Sequence, residues 1–511
     1  MRVVTAQQMR DGDAAAVARR GDVALMRAAG EALAEALVRL APGARRLVAF
    51  AGPGNNGGDA YAALAAFTAI DGDCERIVYA LPSPQTSEGR RDAQTSARNA
   101  GVLTRPFPET ADDVRAAAAG ADFVLDALLG TGARAEVSGP FRMAVDALGT
   151  LGVPILAVDI PTGVDATSGA ANDVALRAQA TVTLGAPKLG LLLEPARGYA
   201  GDIYVGDLGI ADELAHVAGR TYAALDDREF LALLPRRGDE SDKRDAGAPL
   251  IVAGSEQFPG AAILCAHSAA RAGAGYVTVA TSAGAAPALR AHLVEQVVVA
   301  YDDRDVDRAI GDLLELTKRS NAVAIGPGLG LSESTGAIVR GFIEKLERPF
   351  VADASALFHF AKHLAILRGK ACLVTPHASE FARLSGEGTI APGERLERLR
   401  SFVERTGITT LLKGNATLID DGTTMHVNVT GTNALATAGT GDVLSGIIAT
   451  LLAQGLSPVD AARAGAYWHG LAGRRAARER RVGVMAGDVA EALGPAIPDA
   501  PRDHGRLTRL T

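Results

Sequence analysis

The chain has 511 residues, too many for one ordinary domain and enough for two large ones or about three of average size. A hydrophobic content of 48% supports a sizeable core, while a net charge of −7 and only 4% aromatics exclude the basic stripe and stacking platforms of a nucleic-acid binder. The N-terminus carries charge early and no run of 18 apolar residues is free of charge, which predicts a cytoplasmic protein with no secretory signal and no membrane span.

Short apolar runs alternate with helical patterns along the whole chain, the signature of an α/β protein with a largely parallel sheet. In the first half the predicted strands are RLVAFAG, ERIVYAL, DFVLDALLG, VPILAVDI, ATVTLGA and DIYVGDLGI. Helices are predicted over 28–40, 58–70 and 141–148. After residue 224 the pattern weakens, and the charged, Gly/Pro-punctuated stretch 233–248 reads as a linker and entry loop. Alternation then restarts with PLIVAGS, GYVTVAT, QVVVAYD, NAVAIGPG, RPFVADAS, KACLVTPH, TTLLKG and ATLIDDG. Two domains follow, 1–222 and 226–500, and they share no motif register. Cys74, Cys265 and Cys372 lie far apart without metal spacing and read as buried small hydrophobes in a reducing compartment. The basic run RRAARERR, 474–481, reads as a solvated face at a helix end.

Glycine is abundant, 58 of 511 residues against a usual share of roughly 7%, and two glycine-rich turns stand out. The first, AFAGPGNNGGDAY, follows a strand and opens a helix, the place where doubly wound sheets bind anionic ligands. It is neither GxGxxG nor a Walker loop. Gly52, Gly54, Gly57 and Gly58 would let the backbone approach a diphosphate, and Asn55, Asn56 and Asp59 add side-chain oxygens suited to a hard cation or a sugar and carboxamide. Two more strand ends carry polar loops, DALLGTGARAEVSG with Asp126 and AVDIPTGVDATSG with Asp159, Thr162 and Asp165. Asp159 alone would read as a loop or helix cap. Three such loops at consecutive strand ends read as one site.

GPGNNGGDA, DALLGTG and DIPTGVDATSG resemble the motifs of the YjeF N-terminal family, the NAD(P)HX epimerases, over roughly residues 1–220. The resemblance implies a Rossmann-like three-layer domain. It implies that Asn55, Asn56, Gly57, Gly58 and Asp59, with the 130–136 loop and its Gly130, Thr131 and Gly132, hold the hydrated nicotinamide dinucleotide. It implies that Asn56, Asp126 and Thr162 ligate K⁺ and that Asp159 sits at the hydrated ring. Ala60 and Thr162 depart from the Gly and Ser common in the family, and neither change removes chemistry.

The second turn, ATAGTGDVLSG, places Gly439, Thr440 and Gly441 before an apolar helix expected to begin near Val443. Backbone N–H groups there form an anion hole, and Asp442 at its lip is either a cap or a general base for phosphoryl transfer. Lys413, in LLKGNATLI, is a strand-end lysine that could contact phosphate. The turn resembles that of the ribokinase-like superfamily. With LIVAGSEQFPGAAILCAHSAARAGAG, AIGPGLG, VADASAL, VTPHASEFARL and YWHGLAG, residues 228–498 resemble the ADP-dependent NAD(P)HX dehydratases. The resemblance implies a ribokinase-like α/β domain. Ala261, Gly328 or Gly330, and His377 would line the NAD(P)HX pocket. Lys413, Gly414, Asn415, Ala416, Thr417, Gly439, Thr440 and Gly441 would bind the nucleotide, and Asp442 would face the substrate hydroxyl. Departures fall at Ser355, Ser379, 432–435 and the DKRDAG entry loop, while Asp353, His377, Glu380, Lys413 and Asp442 persist.

The two resemblances together imply a bifunctional enzyme that interconverts the R and S epimers of NADHX and NADPHX and dehydrates the S form. ADP or ATP would be cosubstrate, with Mg²⁺ and K⁺, in a homo-oligomer without nucleic-acid or membrane partners. The alternative is a ribokinase-like small-molecule kinase fused to a non-catalytic nucleotide-binding module.

Overall fold

The computed structural model describes residues 1–68, 73–83, 86–132, 137–235, 243 and 246–510. The chain forms two compact units, Met1–Ala223 with Arg502–Thr511, and Ala224–Pro501. Most of the charged stretch and entry loop of 233–248 lies outside the described residues.

The first unit is a doubly wound sheet. Its parallel strands run, in spatial order, Leu103–Pro106, Glu75–Ala80, Arg46–Ala51, Phe123–Ala127, Ile155–Val158, Ala180–Leu184 and Asp202–Gly206. The central strands are apolar along nearly their whole length because helices cover both faces. Asp22–Leu40, Asn55–Thr68 and Glu88–Asn99 pack on one face, and Ala111–Ala118 with Gly139–Leu148 on the other. Leu103–Pro106 is an exposed, polar edge strand, which is why apolar runs do not reveal it. Strand order reverses between Arg46–Ala51 and Phe123–Ala127, so the first glycine turn and the Leu128–Gly132 segment flank the switch-point crevice.

The far edge of this sheet comes from the other end of the chain. Leu507–Arg509 pairs antiparallel with Asp202–Gly206. Leu507 and Leu510 are buried, Arg509 pairs with Asp202 at 2.9 Å, and the Arg506 amide donates to Glu35 at 3.0 Å. A polar decapeptide with two apolar anchors gives no local sign of this, since its partner strand lies some 300 residues upstream.

The second unit repeats the principle with different sequence. Val297–Tyr301, Thr278–Ser282, Pro249–Val252, Ala322–Ile325, Phe350–Ala352, Cys372–Val374 and Thr409–Leu412 are parallel. Thr417–Asp420 and Thr424–Asn428 extend the sheet as an antiparallel meander. The switch point lies between Pro249–Val252 and Ala322–Ile325. Helix Thr440–Ala453 is buried on nearly every side, as its all-round apolar sequence requires, between Pro259–Arg271 and Pro458–Arg480. It starts three residues earlier than the apolar run suggests. Gly439 adopts φ +90°, a left-handed conformation that admits the tight turn, and the Thr440 hydroxyl donates to the carbonyls of Leu435 (2.7 Å) and Thr437 (2.9 Å). The 474–481 basic run ends helix Pro458–Arg480, where Arg475 and Arg480 pair on the surface with Glu479 and Asp488. Among the described residues, no helix is long and apolar enough to cross a membrane.

Candidate active sites

In the first unit the three predicted loops converge on a cavity of about 500 Å³. Asn55, Asn56, Asp59, Gly130, Thr131, Gly132 and Asp159 line it; Gly57, Gly58, Asp126 and Thr162 stand behind that lining. Residues 133–136 of the predicted loop lie outside the described residues.

The glycines are required mainly by the turn's own packing. A Cβ on Gly57 would lie 2.2 Å from the Gly52 carbonyl oxygen and 2.8 Å from Arg90 Nη1. Arg90, almost fully buried, donates to the carbonyls of Gly52 and Gly54 and clamps the turn. Gly57→Ala is therefore expected to cost the first unit about 2 kcal/mol or more and to lower its melting temperature by roughly 4–8 °C. Gly54, whose Cβ would meet nothing within 4 Å, should accept Ala with little change. Thermal unfolding of both variants checks this; equal melting would remove the packing explanation.

Asp126 is fully buried at the end of its strand. Its carboxylate accepts the Thr162 amide (2.7 Å), the Thr162 hydroxyl (2.7 Å) and the Leu128 amide (3.3 Å). Burial pushes the carboxyl up to about 6 against these bonds. Asn56 has both side-chain polar atoms buried and without partners among the described residues. Buried amide, carboxylate and hydroxyl oxygens of this kind suit a hard monovalent cation.

Asp159 follows strand Ile155–Val158 with φ +70°, an uncommon conformation for a residue with a side chain. Its carboxylate meets Lys188 Nζ at 2.5 Å and accepts the Leu184 amide at 3.0 Å. Lys188 is 1% exposed and also donates to the Leu184 carbonyl at 2.6 Å. Motif reading misses Lys188 because a single lysine in APKLG carries no spacing signal. It misses Arg90 because EGRRD reads as a solvated helix.

In the second unit Asp353 is the hub. It is 2% exposed; Oδ1 accepts Lys413 Nζ at 2.7 Å and Oδ2 accepts the Ser445 hydroxyl at 2.9 Å. Ser445 lies one helical turn beyond Asp442. Lys413 Nζ stands 3.4 Å from the position a Cβ on Gly441 would take, so the ammonium faces the helix N-terminus. Burial works against the charged lysine, but Asp353 and Glu380 outweigh it and hold its pKa above the ordinary range. Asp442 is raised as well, which in a carboxyl favours the neutral form. Burial, with the negative charges of Asp353 and Glu380 added and Lys413 opposing, pushes its carboxyl up to about 7.

A cavity of about 380 Å³ opens beside this cluster, lined by Lys413, Gly414, Asn415, Thr417, Thr432, Asn433, Leu435, Thr440, Gly441, Leu444 and His469 among others. Ala416 is buried beneath it and Gly439 caps the helix. The 432–435 departure thus forms part of the wall. His377 is exposed and caps helix Ala378–Ser385: its Nδ1 accepts the Ser379 amide at 3.2 Å, while Glu380 accepts the His377 amide at 2.9 Å. Glu380 also lies 3.8 Å from Lys413 Nζ, which ties this loop to the hub. Gly328 packs against Ala261, and the Gly330 amide donates to Ser355 at 3.2 Å, so the serine that departs from the family pattern still holds that loop.

These two polar strand-end sites define an α/β enzyme with two centres, each pairing a lysine with an aspartate, Lys188 buried and Lys413 partly buried. Comparison with known proteins gives the same division. The family model for the YjeF-related protein N-terminus matches residues 22–190, and that for NAD(P)H-hydrate dehydratase matches residues 249–495. The bifunctional NAD(P)H-hydrate repair enzyme of Pyrobaculum aerophilum is 35% identical over 476 residues, 92% of each chain. That of Coxiella burnetii is 33% identical, over 91% of this chain and 93% of its own. A Bacillus subtilis ADP/ATP-dependent NAD(P)H-hydrate dehydratase, crystallised with ATP and Mg²⁺, is 30% identical over 54% of this chain and 97% of its own, with a TM-score of 0.49. The chain belongs to the family of bifunctional NAD(P)H-hydrate repair enzymes.

Proposed function

We propose that the first unit interconverts the R and S epimers of NADHX and NADPHX and that the second dehydrates the S epimer to NADH or NADPH, with ADP, or in its place ATP, as phosphoryl donor. The observation that carries this reading is the placement of Asp442, a carboxyl poised near neutrality, at the lip of the helix N-terminus that Lys413 faces.

In the second unit, Asp442 takes the proton of the ring hydroxyl as that oxygen attacks the terminal phosphorus of the nucleotide, whose bond to the bridging oxygen breaks so that AMP, or ADP where ATP is the donor, leaves with the electron pair. The backbone N–H groups of Gly439–Gly441 and the Lys413 ammonium hold the phosphate oxygens, and Asp353 holds Lys413. The ring carbon then releases phosphate with its bonding electron pair, and loss of the neighbouring ring proton restores the double bond. Mg²⁺ would arrive on the nucleotide phosphates and neutralise their charge. Ala261, Gly328 and Gly330 at the sheet's switch point, with His377, line the side from which the hydrated ring enters.

In the first unit, Asp159, in contact with Lys188 at 2.5 Å, is the base at the hydrated carbon. Asn55 to Asp59 and the Gly130–Gly132 segment hold the dinucleotide. Asn56, Asp126 and Thr162 fit K⁺, since the Asn56 side-chain oxygen is buried and has no partner among the described residues. K⁺ held there would supply a fixed positive charge to the cavity floor.

The deciding measurement is recovery of dihydronicotinamide absorbance from a mixture of both NADPHX epimers with ADP and Mg²⁺. Full recovery, well ahead of spontaneous epimer exchange, is expected. Recovery that stops at the S share would reduce the first unit to a binding module. A stable phosphorylated product in place of recovery would return the second unit to the kinase reading.

A further inference from the structure

The first unit's cavity contains more acid than its resemblance to known epimerases assigns. Asp13, on helix Ala6–Arg20, lines the same cavity as Asp59, Asp159 and Lys188. That helix is anchored at its start: Thr5 and Gln8 form a reciprocal cap, and the Ala6 amide donates to Thr167 at 3.0 Å. Asp13 therefore reaches the cavity from a fixed helix, while Asp159 reaches it from the end of a strand. Among the described lining residues Lys188 is the single cationic side chain, against the carboxyls of Asp13, Asp22, Asp59 and Asp159. Three of those carboxyls, Asp13, Asp59 and Asp159, interact electrostatically with one another across the cavity. The Lys188 charge goes to Asp159 at 2.5 Å. With one ammonium committed, the remaining carboxyls cannot all ionise in a half-buried space.

We propose that Asp13 is the second catalytic residue of epimerisation, the proton donor that works across the cavity from the Asp159 base. The inference rests on the epimerase reading above. The hydrated carbon carries a hydroxyl and the ring nitrogen, so it can invert by opening and reclosing the ring. Asp159 removes the hydroxyl proton, and the oxygen electrons form the aldehyde C=O. The C–N bond breaks, its electron pair goes to the ring nitrogen, and Asp13 delivers a proton there. Rotation about the adjacent C–C bond presents the other aldehyde face. The nitrogen then adds back, Asp13 recovers its proton and Asp159 returns one to the oxygen. No oxidant, reductant or net proton is consumed. Two carboxyls in different environments divide the acid and base roles, as such pairs do elsewhere.

Electrostatics agrees with this division. Burial pushes the Asp13 carboxyl up to about 6, with Lys188 opposing and Asp159 adding. A donor near that value can both give and retake its proton at neutral pH. Asp59 is likewise pushed well above the usual carboxylate range by burial and by the charges of Asp159 and Asp13, with Lys188 opposing.

The test uses the intact chain and the R epimer of NADPHX with ADP and Mg²⁺, where recovery requires epimerisation first. Asp13→Asn is expected to slow R-epimer recovery at least about 100-fold and to leave S-epimer recovery unchanged. Recovery of the R epimer within about threefold of wild type would overturn the assignment. In the wild type, R-epimer recovery taken relative to S-epimer recovery at the same pH should fall as pH rises above about 6, because the protonated form of Asp13 is lost, with Asp22, Asp59, Asp159 and Lys188 as the other titratable groups facing it. Asp13→Glu keeps a titrating donor and should retain a measurable rate with this alkaline limb displaced. An unmoved limb in Asp13→Glu would overturn the proposal even if Asp13→Asn failed to fold. Wild-type exchange no faster than the spontaneous rate would instead sink the epimerase reading itself.

Discussion

Asp442→Asn is expected to lower the rate of S-NADPHX dehydration about 10³-fold or more while nucleotide binding and the melting temperature stay near wild type. Asparagine keeps the shape and the first-turn position of Asp442 but cannot take a proton from the ring hydroxyl. The helix it opens is already held by the buried Thr440 hydroxyl and by packing along its length, so the fold does not depend on the charge. The wild-type pH profile follows from the environment of Asp442. With its carboxyl pushed up to about 7 by burial and by the charges of Asp353 and Glu380, the base form is lost below that value. Activity should fall about tenfold per pH unit on the acid side and level off above pH 7. Asp353→Asn removes one of those negative charges and frees Lys413 from its 2.7 Å partner, and both changes favour ionised Asp442. The acid limb should move to lower pH in that variant. Dehydration by Asp442→Asn at the wild-type rate would remove Asp442 from the chemistry, and an unmoved limb in Asp353→Asn would detach the hub from it.

Asp159 offers the second large effect, and here the choice of substitution matters. Asp159→Ala strips the partner from a lysine that is 1% exposed, which should destabilise the first unit by about 3–5 kcal/mol. It also places alanine at φ +70°. Loss of epimerisation in that variant would not separate chemistry from folding. Asp159→Asn is the better probe. Asparagine tolerates the left-handed conformation and retains an oxygen for the Leu184 amide and Lys188. R-epimer recovery should fall at least about 100-fold, S-epimer recovery should persist, and the stability loss should be smaller than for alanine. R-epimer recovery at the wild-type rate would refute the role of Asp159. Loss of S-epimer recovery as well would refute the independence of the two centres.

Much of this was legible in the sequence because both sites are built from contiguous turns at strand ends. A strand, a glycine-rich turn and a helix N-terminus occupy a dozen residues, so GPGNNGGDA and AGTGD announce themselves locally. The same holds for Asp126 and Asp159, each at the end of an apolar run. What the letters did not reveal was why the glycines stand there. At Gly57 the reason is the neighbouring Gly52 carbonyl and the Arg90 clamp, and contact with a ligand is not needed to explain it.

The sequence by itself determined the α/β character, the two-part organisation and the strand-end and turn positions of Asp159 and Asp442, the residues proposed for acid–base chemistry. Each of these rests on local period, turn chemistry or a short motif. The tertiary structure alone decided which charges meet. Lys188 reaches Asp159 across 29 residues, Asp353 gathers Lys413 and Ser445 across 60 and 92, and the C-terminal strand joins a sheet begun some 460 residues earlier. The lysine–aspartate pairings are set by parallel sheet order, in which neighbouring strands are separated by whole crossover helices, and the C-terminal strand adds antiparallel at the sheet edge. No local pattern encodes them. They also fix the chemistry, because a carboxyl is displaced to about 7 at Asp442 only through burial and the charges that the fold carries to it from distant parts of the chain.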